Sequence, residues 1–175
     1  MYCPTQMEMF RYPASPTSHG GTLNFGRRKT KRPLCTKRAL HVVMRASCAQ
    51  GRLSLLQPNH ARLTGMLLKR FAYRFAVIVY SWANSGNHVH MVVKAKTKEG
   101  FRNFLRTFAG QLAQRVTGAK PGHKLTKPFW DLLAFSRIVE WGKAYKSVAN
   151  YILKNIRQAA RSWPYYPITT RPLIR

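Results

Sequence analysis

The 175-residue sequence predicts an α+β domain: a ferredoxin-like (split βαβ) antiparallel sheet with helices on one face and an added C-terminal helix. Three observations predict it. Short β-branched runs read as strands, longer segments repeat apolar residues at helical spacing, and their order along the chain is β, α, β, β, α, β, α. The length suits one domain with tails rather than two cores.

The elements follow in order. Residues 1–39 are expected to form a flexible basic N-terminal arm, because Met1 to Gly26 is rich in Pro, Ser, Gly and Thr without periodicity. Arg27 to Arg38 (RRKTKRPLCTKR) then puts seven cations into twelve residues. His41 to Ser47 (HVVMRAS) reads as a first strand and Gly51 as its turn. Pro58 and Asn59 can open a helix whose Leu63, Met66, Leu67, Arg70, Phe71 and Arg74 recur at helical spacing. Phe75 to Ala83 and His88 to Val93 read as strands, and Ser85, Gly86 and Asn87 between them give a hairpin turn. Lys98 to Thr117 is the clearest helix: Phe101, Phe104, Leu105, Phe108, Leu112 and Val116 line one face, and Gly118 stops it. A basic loop with Lys120, Lys124 and Lys127 ends at Pro128, and Phe135 to Trp141 alternates as a fourth strand. The last helix runs from about Lys143 to Ala160 with Tyr145, Val148, Ala149, Ile152 and Ile156 on one stripe, and Pro164 and Pro167 mark a tail over 161–175. The folded domain is therefore expected over 40–160.

Charge narrows the function. Lys and Arg number 31 against 4 Asp and Glu, a formal net charge of +27, and such self-repulsion is relieved by a polyanion: nucleic acid or an anionic membrane surface. At 45% hydrophobic residues the chain can still build a core, which excludes a disordered basic tail. Two-carboxylate catalysis would need half of Glu8, Glu99, Asp131 and Glu140 to converge. No apolar run approaches a membrane span, and Cys3, Cys35 and Cys48 form no CxxC pair, so a reduced, cytoplasmic protein without a membrane partner is expected.

His88 and His90 are two apart on a strand, so both imidazoles face one way and offer half of a metal site. His19, His41, His60 and His123 have no such partner and read as ordinary surface or packed histidines. On the last helix Tyr151 and Asn155 are four apart, hence on one face, at the edge of the apolar stripe, where a phenol and an amide can lean over the sheet.

The segments NHVHMVV, PFWDLLAFSRIVEW and YILKN, in that order and separated by a basic amphipathic helix, resemble the single-tyrosine HUH transposases with an IS200-like domain. The nearest branch is the tyrosine transposases associated with repetitive extragenic palindromes. The resemblance spans roughly Leu40 to Ala160 and implies that His88, His90 and Asn155 hold a divalent metal, Mg²⁺ or Mn²⁺, and that Tyr151 is the nucleophile. It further implies cleavage and rejoining of single-stranded or hairpin DNA through a 5′-phosphotyrosine, by either a monomer or a homodimer that exchanges the tyrosine helix. Ser85-Gly86 stands where relatives commonly have Met-Pro, and Ile156 where Pro often follows the ligand Asn; neither change removes a ligand or the nucleophile. A metal held by neutral imidazole and amide groups would keep its full charge for the phosphodiester, and a phenol with a reference pKa near ~10 needs such surroundings to become a nucleophile. Arg27, Arg28, Lys29, Lys31, Arg32, Lys94, Lys96, Arg102 and Arg106 are the candidate DNA contacts, while Trp82, Trp130, Phe135 and Trp141 are candidates for stacking bases. Two other readings use the same charge: a non-catalytic RNA- or DNA-binding module and a domesticated transposase of reduced activity.

Overall fold

Alternation along the strands gives the sheet two apolar faces, and the helices divide between them. The structure, a computed structural model, describes residues 16–28, 30–120 and 127–162. Its elements are β1 (Ser18–His19), β2 (Ala39–Arg45), α1 (Pro58–Arg74), β3 (Val77–Asn84), β4 (His88–Ala95), α2 (Lys98–Thr117), β5 (Phe135–Val139) and α3 (Lys143–Ser162). The strands pair antiparallel throughout in the order β1-β5-β2-β4-β3. Without the two-residue β1, this is the split βαβ order, and the expected α+β, ferredoxin-like fold is observed.

One face carries Leu40, Val42 and Met44 of β2 with Val89, Met91 and Val93 of β4, all buried under α1 and α2. Phe101, Phe104, Phe108 and Leu112 of α2 are fully buried here, and each large side chain removed from water contributes roughly 1.5–3 kcal/mol. The opposite face is covered by α3, whose Val148, Ile152, Ile156 and Ala159 pack on Ala39, Ala83, Val92 and Val139. Because β4 lies between β2 and β3, its second face is the middle of the α3-covered surface.

Local chemistry sets the element ends. The Thr97 side chain accepts a hydrogen bond from the Gly100 N–H at the start of α2, Glu99 sits in its first turn, and Gly118 closes it at φ 71°. Phe75, expected in a strand, instead belongs to the turn ending α1, where its N–H bonds back to the Phe71 carbonyl and Ala76 takes a positive φ of 52°. The first strand begins at Ala39 rather than His41, since Ala39 and Leu40 pair with Val139 and Ile138. A bulge between Val79 and Ser81 inserts Tyr80 into β3, so Val79 and Trp82 both point to the α1/α2 face while Tyr80 packs towards α3.

Of the expected arm, Ser18–His19 pairs with β5 and Gly21–Asn24 forms a 3-10 turn. Residues 1–15, Lys29, His123, Lys124 and the tail from Pro164 lie outside the described residues. Among the described residues no helix is long and apolar enough to cross a membrane.

Ile152 is fully buried between α3 and the sheet. Ile152→Ala is expected to lower the unfolding free energy by about 2–5 kcal/mol in urea titrations; a loss below about 1 kcal/mol would mean that the α3 stripe is not seated as described.

Candidate active site

Registry builds the site. In β4, His88 and His90 alternate with Val89 and Met91, so the apolar pair enters the α1/α2 core and both imidazoles face α3. Antiparallel pairing sets Arg45 opposite His88, Val43 opposite His90 and His41 opposite Val92. The His88 and His90 rings lie 5.8 Å apart at 16°, and the His90 and His41 rings 6.1 Å apart at 15°, giving a row of three near-parallel imidazoles across two strands. All three are buried.

The stripe of α3 that seats on this face brings in the phenol. Tyr151, half-buried, meets the His90 ring edge-on at 5.4 Å and the His41 ring edge-on at 6.2 Å. One turn later Asn155, also buried, donates its Nδ2–H to the Tyr151 carbonyl at 2.9 Å, and its Oδ1 accepts from the Ser85 hydroxyl at 3.5 Å. Ser85 is in the β3–β4 turn, where its N–H bonds to the His88 carbonyl, so the amide sits beside the start of the histidine strand. Within a single chain, Tyr151 thus meets the His90 ring, and Asn155 reaches the turn that leads into His88.

Electrostatics keep the imidazoles neutral. Burial, with Arg137 nearby, lowers the His41 pKa to about 4. Burial and then Arg45 lower His88 to about 4 against an opposing pull from Asp131, and burial with His41 and His88 as neighbours holds His90 well below the ordinary value. The neutral ring is the form that binds metals. For His88 the tautomer follows from its partner: Nδ1–H donates to Asn87 Oδ1 at 2.6 Å, which leaves the lone pair on Nε2. His90 Nδ1 is buried without a hydrogen-bond partner among the described residues. The residues therefore fit a divalent ion of the imidazole-plus-amide kind. Among the described residues no three of His, Cys, Asp or Glu group as a metal site. His88–His90 and His90–His41 stack at nearly the same spacing and angle, so ring geometry does not set His41 apart from the other two.

The candidate DNA contacts divide between the two sides of the sheet. Arg32, Arg102 and Arg106 line a cavity of about 600 Å³ on the α1/α2 side, with Phe101 and Trp130 in its wall. Arg32 donates to the Ala134 carbonyl at 2.8 Å and to Ser136 Oγ, and burial lowers its pKa to about 10, so it stays cationic at neutral pH. Lys94 shares the face of His88 and His90, Lys96 lies in the β4–α2 turn, and Arg27, Arg28 and Lys31 are exposed ahead of β2. Trp82 and Phe135 are core residues; Trp130 is half-buried with its Nε1–H on the Ala109 carbonyl, and Trp141 is 46% exposed.

Glu140 and Asp131 are engaged with cations, and Asp131 is the one that acts on an imidazole, opposing the fall of the His88 pKa. Glu140 pairs with Arg38 at 2.8 Å on the surface, and Asp131 holds Arg45 at 3.3 Å and the Ser47 N–H and hydroxyl. Sequence spacing missed His41, Arg45 and Arg137, since only the pairing register brings them to the histidine strand.

The neutral histidines predict acid sensitivity of the metal-free protein. Their folded pKa values lie below the unfolded value near ~6.5, so the unfolded chain binds more protons and stability falls as pH drops from about 6.5 through 4. His41 alone is expected to remove on the order of 2 kcal/mol between pH 7 and 5. Urea midpoints across this range should fall for the wild type and fall less for His41→Leu; equal slopes would contradict the burial of a neutral ring.

Comparison with protein families matches residues 35–155 to the model described as Transposase IS200 like, a span running from just before β2 to Asn155. No curated protein matches the chain. A histidine strand at the centre of a split βαβ sheet and a tyrosine helix seated over it lie within that match, and the chain belongs to the IS200-like transposase family.

Proposed function

We propose that the protein cleaves and rejoins single-stranded DNA with Tyr151 as nucleophile and His88, His90 and Asn155 as the residues that hold a divalent metal, Mg²⁺ or Mn²⁺. The observation that carries this reading is the Tyr151 ring against the His90 ring at 5.4 Å, since it unites a phenol and an imidazole far apart in sequence. Transposase membership implies a DNA partner, which also accounts for the +27 charge.

The bound ion would neutralise charge on the scissile phosphate and on the leaving oxygen. The chain's own groups do the rest. Tyr151 Oη attacks phosphorus and its proton leaves to solvent; the phosphorus–O3′ bond breaks and the 3′ oxygen takes up a proton. A 5′-phosphotyrosine and a free 3′-hydroxyl result, and a second 3′-hydroxyl can reverse the step because the ester bond is conserved. Asn155 holds the Tyr151 turn of the helix through its bond to the Tyr151 carbonyl. Arg45 and Arg137, opposite His88 and His41, supply positive potential at the two ends of the imidazole row. Both metal-binding histidines are buried, so a phosphate reaches them when α3 lifts from the sheet. The arginines around the cavity are suited to holding the rest of a hairpin or strand by its phosphates. Lys29 would join Arg27, Arg28 and Lys31 in this role, as would Lys94 and Lys96 near the site.

Stem-loop single-stranded DNA with Mn²⁺ is expected to give a covalent protein–DNA band on denaturing gels that Tyr151→Phe abolishes and His90→Ala greatly weakens. An undiminished band from Tyr151→Phe would remove the nucleophile assignment. Equilibrium binding should weaken with salt at a slope near ~−0.7 per phosphate contacted, and a salt-independent affinity would contradict phosphate gripping.

A further inference from the structure

We propose that His41 is a third working imidazole, donating its ring N–H to a non-bridging oxygen of the phosphodiester that Tyr151 attacks. This deepens the proposed function and rests on it. His41 is 2% exposed, and neither Nδ1 nor Nε2 has a hydrogen-bond partner among the described residues. A buried donor left without a partner is costly, and an apolar residue would fill the same place without that cost. The neighbouring inward positions show as much: Ala39, Val43 and Val92 occupy the same face of β2 and β4.

Position says what would use the donor. His41 stacks on His90 at 6.1 Å and meets the Tyr151 ring at 6.2 Å, so it borders both the metal-binding row and the nucleophile. It faces the same space as His90, which is equally covered by α3, and whatever movement of α3 admits a phosphate to one imidazole admits it to the other. Among the described residues no three of His, Cys, Asp or Glu group as a metal site, which leaves His41 open to a role other than ligation. Arg137, its cross-strand partner, adds positive potential suited to an anionic group at this spot. The role asks only for a neutral N–H aimed at oxygen, with no gain or loss of a proton by the ring.

His41→Leu removes the donor and keeps an apolar side chain of similar bulk; His41→Asn keeps a neutral N–H. The proposal expects His41→Leu to unfold at the same temperature as the wild type or higher while forming the covalent DNA adduct slower by about tenfold or more. His41→Asn should recover part of that rate. With stem-loop DNA carrying one phosphorothioate at the cleaved position, the wild type should distinguish the two diastereomers and His41→Leu should distinguish them less, which a packing role would not alter. Adduct formation by His41→Leu within about threefold of the wild type with an unchanged diastereomer preference overturns the proposal. So does a loss of activity in both variants that merely follows a loss of stability. Binding measured in the Tyr151→Phe background separates the two readings. Weaker binding from adding His41→Leu there, in a protein whose wild type makes no adduct, would leave the phosphate contact standing and remove the nucleophile. A normal wild-type adduct with no effect of His41 in either assay would remove the contact alone.

Discussion

The seating of α3 on the second face of the sheet is the interaction on which the rest depends. Val148, Ile152 and Ile156 form an apolar stripe that must be buried, and the surface that accepts it is Ala39, Ala83, Val92 and Val139. That surface surrounds a row of polar rings. Packing of a few apolar side chains therefore fixes where a phenol at the stripe's edge must lie, and it lies on the imidazoles of His90 and His41. The same contact lowers the histidine pKa values, because the helix excludes water from the rings. Geometry and protonation state thus share one cause.

Seating also sets a conflict that the proposed chemistry has to resolve. Three buried neutral imidazoles suit metal and phosphate, yet they are covered by the helix that delivers the tyrosine. Near the site this helix is held by apolar contact and by the Ser85 hydroxyl on Asn155 Oδ1, a long bond at 3.5 Å. Apolar contact has no direction, so it tolerates a small lift of the helix better than a ladder of hydrogen bonds would. At the other end Tyr80 meets Trp141 and Tyr145 edge-on, these two rings pack at a tilt, and the Trp141 indole N–H bonds to the Lys37 carbonyl, which anchors the start of α3. Opening at the site would leave this aromatic anchor at the start of the helix in place.

Much of this was legible in the sequence because periodicity reports burial. The bounds of α2 follow directly from its phenylalanine stripe and from Gly118, and the His-x-His alternation and the Tyr151/Asn155 spacing each place two side chains on one face. What periodicity does not carry is register. His41 looks like any other residue of a β-branched run until pairing with β4 and β5 sets it beside Arg137 and near His90. The Tyr80 bulge is invisible for the same reason, since one inserted residue changes the face of those that follow without altering composition. Charge indicated the partner but not its distribution: Arg32 and Arg102, far apart in sequence, meet at one cavity on the side of the sheet away from the histidines.

The central claim is that α3 presents Tyr151, and not another phenol, to the histidine row. Tryptic mass mapping of the protein after reaction with stem-loop DNA and nuclease trimming tests it most directly, because the segment 147–154 contains Tyr151 and no other tyrosine, while Tyr145 falls in the preceding peptide. The account predicts a nucleotide adduct on the Tyr151 peptide. An adduct on the Tyr145 peptide, or on one from another part of the chain, would contradict it.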